Sequence, residues 1–265
     1  PEGFWPEAGV VTACLAVLLG LTLNSSLRGH RRATLWTGCA SLILLLALFI
    51  GYHHLNDFDQ GLSALVQEHR SAWLDETMVM VTQLGEFKKM FVASAVFTGL
   101  LLLARQWRHA LFVGATLAGA AVINTGTKLF FARGRPEILT DPLTSFSMPS
   151  GHASGAFAFF LALAVLAGRG QPTRLRLTWI LLGCIPAAFI ALSRVYLGAH
   201  WPSDILAGTL LAMTVCAFSL TVSQYRSPLP PMPAKAWWLV LPAVVAVLGF
   251  IAFTGTSHAL LRYAY

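Results

Sequence analysis

SRVYLGAHWPSDILAGTLLAMTVCAFSL, residues Ser193 to Leu220, places Arg194, His200 and Asp204 close together and then runs without charge from Ile205 to Tyr225. An uncharged apolar run of about 20 residues has the length of a bilayer span. Charged groups set against the end of such a run are costly there, which makes them functional candidates. The same juxtaposition occurs twice more. Lys128 to Pro136 (KLFFARGRP) closes one apolar stretch, and Pro149 to His152 (PSGH) opens another.

The rest of the chain has the same character. Of 265 residues, 56% are hydrophobic and only 11% charged, with a mean hydropathy of +0.68. A soluble domain carries far more charge. Eight apolar segments cover approximately 8–26, 34–52, 89–104, 109–127, 152–168, 177–195, 204–223 and 236–254. The expected fold is therefore all-α, a polytopic membrane helix bundle of about eight spans. Between the second and third segments, Phe58, Leu62, Leu65 and Val66 fall at helical spacing, as do Leu74, Met78 and Val81. That spacing predicts two short amphipathic helices in the outer interface. Pro186 predicts a kink in the sixth span. Residues 227–234 (SPLPPMPA) read as a stiff linker before the last span. Cys14, Cys39, Cys184 and Cys216 lie inside apolar segments without metal-binding spacing, as inert thiols do.

The net charge of +7 does not indicate nucleic acid, because of how it is distributed. Arg28, Arg31 and Arg32, then Arg105 and Arg108, then Arg169, Arg174 and Arg176, then Arg226 and Lys235 occupy every second loop, and those loops lack Asp and Glu. This is the positive-inside pattern. It predicts a multi-pass protein of the cell (inner) membrane. Lys128, Arg135 and Arg194 then face the periplasm or cell exterior, and both termini lie outside. Residue 1 is Pro, so the chain reads as an expressed fragment, a processed form, or part of a larger membrane polypeptide.

The three runs hold complementary chemistry. Lys128 supplies a mobile point charge and Arg135 a flat fork, a pair suited to phosphate; the alternative is two cations snorkelling to headgroups. Pro136 places the end of the preceding helix near Gly134. Ser150 and Gly151 stand at a helix start, where backbone N–H groups bind anions, and His152 could protonate a leaving oxygen. Alone, a His at a helix start such as His152 is more often structural. With Pro202 in the first turn of its helix, Asp204 can reach back to His200, fix its tautomer and free the other ring nitrogen for attack. The alternative is an Asp that only complements the helix dipole. All three runs map to one membrane face, which independent snorkelling or capping residues have no reason to do.

K-x6-R-P, P-S-G-H and S-R-x5-H-x3-D resemble the signature of the type 2 phosphatidic acid phosphatase (PAP2) superfamily, matched at every specified position between Lys128 and Asp204. The resemblance implies a six-helix core over roughly 34–223, with an extra span and basic loop in 1–33 and a linker and extra span in 224–265. It implies that His200 attacks phosphorus to form a phosphohistidine, that Asp204 orients it, and that His152 protonates the leaving group. Lys128, Arg135, Arg194 and the amides of Ser150 and Gly151 would bind the phosphate. No metal or other cofactor is implied.

The expected activity is hydrolysis of a lipid phosphate or diphosphate at the outer leaflet. Phosphatidate, phosphatidylglycerol phosphate, a polyprenyl diphosphate and lipid A phosphate are the substrates the family suggests. The expected partners are that lipid and the bilayer. Rival readings are lipid-to-lipid phosphotransfer through the same site, a vanadate-dependent haloperoxidase, and a non-enzymatic lipid transporter or scramblase. The apolar spans argue against the haloperoxidase, since those enzymes are soluble.

Overall fold

A computed structural model describes residues 4–28, 31–138 and 144–254. Gly29 and His30 of the first basic turn lie outside the described residues. The described chain is helical throughout: α1 (Phe4–Arg28), α2 (Arg31–Gly51), a 3₁₀ turn (Tyr52–Leu55), α3 (Asn56–Glu68), α4 (Ala72–Gln83), α5 (Phe87–Leu103), α6 (Trp107–Phe131), α7 (Gly151–Ala167), α8 (Thr173–Tyr196), α9 (Pro202–Ser223) and α10 (Ala234–Phe253). Each of the eight apolar segments became one helix, and the region between the second and third became α3 and α4. Five of the described helices are long and apolar enough to cross a membrane unaided by that measure; α7 and the first part of α1 are shorter apolar helices.

The bundle is built around α7 and α9. An apolar helix without a polar face is stable only where every side is covered. α7 fits that description: Ala153, Ala158, Phe159 and Ala162 are fully buried, and it packs against α6, α8 and α9. Small residues allow the close approaches. A Cβ on Gly183 would lie 2.8 Å from the Phe160 carbonyl oxygen, bringing α8 onto α7. A Cβ on Gly208 would lie 2.6 Å from the Ser150 carbonyl oxygen, so α9 slides directly under the start of α7. Pro186 falls inside α8, which continues through it to Tyr196.

The outer helices dock by polar contacts rather than lying loose. Tyr196 at the end of α8 donates its hydroxyl to Asp75 at 2.7 Å, and Gln67 donates to the Tyr196 carbonyl at 3.0 Å. The proline-rich segment is likewise pinned. Arg108 donates to the carbonyls of Ser223 and Ser227 at 3.0 and 2.7 Å, and the His109 ring meets the Pro230 carbonyl at 2.9 Å. This linker from α9 to α10 is thereby fastened to the start of α6. At the other end of the bundle, Glu7 of α1 accepts the Phe58 N–H, and Lys89 at the start of α5 donates to the Thr254 carbonyl. The beginning of α1 and the end of α10 therefore share the face that holds α3 and α4.

Candidate active site

Four helix ends converge on that face. α6 stops at Phe131 because Ala132 adopts the left-handed conformation (φ 47°) and returns its N–H to the Lys128 carbonyl at 3.1 Å. The helix ends earlier than the Gly134 expected from Pro136, and the difference matters: it releases Arg133 as well as Arg135 from the helix. Lys128 Nζ donates to the Phe146 carbonyl at 2.8 Å, and Arg135 donates to the Ser145 carbonyl and hydroxyl at 2.7 and 2.8 Å. Both cations thus border the loop leading into α7.

At the start of α7, Ser150 is the N-cap, its hydroxyl accepting the Ala153 N–H at 3.4 Å. One expectation is corrected here. The Ser150 N–H donates to the Asp204 carbonyl at 2.9 Å, so it does not point into a phosphate cradle. Its role is to lock α7 to α9. The first-turn amides left for an anion at this helix start are those of Gly151 and His152, since Ala153 and Ser154 donate to Ser150. His152 lies one residue further, packed against Gly85 and within electrostatic reach of Arg194, His200, Lys128 and Arg135.

Arg194 closes α8 and is only 2% exposed. Its Nη1 donates to Thr82 of α4 at 2.9 Å. Its carbonyl accepts the N–H groups of Ala199 and His200 at 2.9 and 3.2 Å, in a turn that Gly198 makes with φ +69°. That positive φ suits glycine, and a side chain there would also strike Ile138. The turn carries His200 back to the α8 end, beside Arg194.

The geometry around His200 assigns its tautomer. Nε2 lies 3.0 Å from Arg135 Nη1, and Nδ1 lies 3.4 Å from Asp204 Oδ2. A guanidinium can only donate, so Nε2 is the acceptor and the proton sits on Nδ1, facing the carboxylate. Asp204 is fully buried and held on both oxygens: by Arg133 Nη1 at 2.8 Å on Oδ1, and by the Trp201 N–H at 2.9 Å and the Ser147 hydroxyl on Oδ2. It caps α9 and faces His200 at the same time. Burial, then the cations Arg135, Arg194 and Lys128, push the His200 pKa well below the ordinary histidine value; a Ser147 backbone contact opposes this. Both causes favour the neutral form of the ring. In a ¹⁵N-histidine NMR titration in detergent, the resonance that disappears in His200→Ala is expected to titrate below 6.5. Arg135→Ala should move that midpoint up, because removing a neighbouring cation favours the imidazolium. A midpoint at or above the ordinary value would contradict this electrostatic picture.

Sequence reasoning missed Arg133, Ser147, Asp59 and Thr82. Arg133 lies within KLFFARGRP, where the fork that meets Asp204 looks no different from a snorkelling cation. Thr127 bonds the Ile123 and Asn124 carbonyls of its own helix, whereas Asn124 crosses to Ser154 of α7 at 3.0 Å. An apolar groove of about 380 Å³ runs between α5, α6 and α7. Phe91, Ala95, Leu117, Ala121 and Val122 line it, and it reaches Gly85, Asn124 and Gly151 at the site.

A family model described as the PAP2 superfamily matches residues 109–228. Phosphatidylglycerophosphatase B of Bacillus subtilis is 27% identical over 193 residues, covering 69% of this chain and 94% of its own length. Decaprenylphosphoryl-5-phosphoribose phosphatase of Mycobacterium tuberculosis is 36% identical over 133 residues, covering 48% of this chain and 69% of its own. The crystal structure of a transmembrane PAP2 type phosphatidylglycerolphosphate phosphatase from Bacillus subtilis superposes with a TM-score of 0.63 at 23% identity, covering 72% of this chain and 97% of that one. At that identity the structural likeness is one of fold. None of these similarities supports the expectation of a larger membrane polypeptide.

Proposed function

This chain belongs to the PAP2 superfamily, and we propose that it is a multi-pass membrane phosphatase that hydrolyses a lipid phosphate or diphosphate through a phosphohistidine on His200. The observation that carries this reading is the imidazole itself, with Nδ1 toward Asp204 and Nε2 presented to Arg135 beside Lys128 and Arg194. Nε2 attacks phosphorus while the bond to the leaving oxygen breaks, and His152, protonated when the phosphate's negative charge binds beside it, gives that oxygen its proton and becomes neutral. Arg135, Arg194, Lys128 and the amide of Gly151 stabilise the charge gathering on the equatorial oxygens. Water, deprotonated by His152, then attacks the phosphohistidine. The N–P bond breaks, inorganic phosphate leaves and His200 returns neutral. Fixed cations supply the neutralisation a metal would otherwise give, so the reaction is proposed to be metal-independent. The basic loops lie at the opposite end of the bundle from the site, which supports an outward-facing catalytic end by the positive-inside rule.

The groove supports a lipid substrate: it could hold a hydrocarbon tail while the phosphate meets the cations. The names of the relatives favour a phosphate on a polyol headgroup or a polyprenyl carrier as the class to assay first.

The central test is phosphate release by purified protein from phosphatidate, phosphatidylglycerol phosphate, a polyprenyl diphosphate and lipid A phosphate, each with and without EDTA. Turnover of at least one lipid, unchanged by EDTA, is expected; a strict Mg²⁺ requirement would overturn the metal-free mechanism. The groove makes its own prediction. Ala121→Phe fills it from the α6 side, so the KM for a long-chain substrate should rise about tenfold or more, as several methylenes lose their burial. A short-chain, water-soluble analogue should be turned over as before. Equal effects on both substrates would show that the groove does not hold the tail.

A further inference from the structure

Asp59, Arg133 and Asp204 form a continuous buried chain of charge. Their side chains are 2%, 10% and 0% exposed. Arg133 Nη2 donates to Asp59 Oδ2 at 2.8 Å, while Nη1 donates to Asp204 Oδ1 and to the Ser203 hydroxyl, each at 2.8 Å. Asp59 closes the ring by accepting the Ser203 N–H at 2.8 Å and the Ser203 hydroxyl at 2.5 Å. The guanidinium also lies over the Tyr52 ring at 4.8 Å and the Trp201 ring at 5.9 Å. A fork bound at both tips and covered by aromatic faces cannot pivot.

The consequence falls on the catalytic carboxylate. With Oδ1 held by Arg133, Asp204 has its Oδ2 edge turned toward the Trp201 N–H, Ser147 and His200 Nδ1. We propose that Arg133 and Asp59 are positioning residues, which fix the rotation of the Asp204 carboxylate and so keep His200 in the tautomer that leaves Nε2 bare. Neither touches the reacting phosphorus. Through them α3, an outer amphipathic helix, sets the geometry of a nucleophile on the α8–α9 turn. The proposal rests on the phosphohistidine reading of His200.

A purely structural role, tying α3 to the bundle, is the competing account. Single neutral substitutions separate the two poorly, because Arg133→Met strands two buried carboxylates and Asp59→Asn leaves Arg133 facing only one of its two. The double variant Asp59→Asn with Arg133→Met does separate them. It removes one charge of each sign, leaves the net charge of the cluster unchanged, and keeps side chains of similar size.

Three measurements are made on the double variant in detergent: its thermal midpoint, steady-state kinetics on a lipid that the wild type hydrolyses, and the ¹⁵N spectrum of the His200 ring, assigned by its loss in His200→Ala. The expected result is a thermal midpoint close to wild type with kcat reduced about 10- to 100-fold at nearly unchanged KM, the usual scale for an outer partner of a reactive group. The ring should change from one tautomer, protonated on Nδ1, to a mixture. A folded double variant with wild-type kcat and an unchanged ring would overturn the proposal. If the double variant does not fold, Arg133→Lys carries the same test, since a lysine keeps the charge but cannot span two carboxylates. If the wild type releases no phosphate from any lipid, the phosphatase reading fails, while the ring spectrum still decides the positioning.

Discussion

His200→Ala loses phosphate release from every lipid the wild type accepts by at least about 1,000-fold, the scale on which removal of a nucleophile acts. The detergent-solubilised fold should be unchanged. His200 sits on the turn between α8 and α9, and its ring meets Asp204 and Arg135. The backbone contacts that place it, from its own N–H to the Arg194 carbonyl, survive truncation at Cβ. The other imidazole, His152, stands at the start of α7 and in the proposed mechanism serves the leaving oxygen, so it is not expected to replace the nucleophile. ³²P-labelled substrate quenched in alkali, where a phosphohistidine persists, should label the wild type and not the variant. Near-normal turnover by His200→Ala would sink the mechanism, whichever lipid is used.

The second large effect is expected at Arg194. It is the most completely buried of the three phosphate cations assigned from the sequence, and Thr82 aims its guanidinium from α4. A preorganised charge in a water-poor site stabilises the transition state without reorganising at the moment of reaction. Arg194→Ala should therefore lower kcat/KM about 100- to 1,000-fold, the scale on which loss of one such donor acts. Arg194→Lys should recover only part of that, since a point charge replaces a fork able to grip two phosphate oxygens. The thermal midpoint of each variant, read in the same detergent, separates this loss from unfolding. A loss of less than about threefold for Arg194→Ala in a folded protein would remove Arg194 from the phosphate site, because one oxyanion donor is worth far more than that.

Some of this architecture was legible because its causes are local. Charge is costly beside an apolar run, so the three motifs stood out. The four-residue step from His200 to Asp204 spans one turn, so their contact could be read from spacing alone. The helical periodicity of 56–83 was equally readable, and α3 and α4 form there.

The misreadings have a common origin. The Ser150 amide looked like an anion donor because every helix start offers free N–H groups; only the seating of α9 under α7, made possible by Gly208, gives that amide to the Asp204 carbonyl. The linker 227–234 was readable as stiff, but not that its carbonyls accept from Arg108 and His109 of a distant helix.

By itself the sequence determined that the chain is a bundle of membrane helices, that its costly charges gather at helix ends, and that an imidazole and an aspartate one turn apart stand among them. Each of these follows from transfer free energies and periods that act over a few residues. The tertiary structure alone decided which donors are already committed and which charges meet. Arg133 reaches Asp59 across 74 positions and Asp204 across 71, and Ser203 reaches Asp59 across 144. No local period encodes contacts at such separations. They exist because close-packed helices bring their ends to one face, where a buried charge is stable only if it finds a partner.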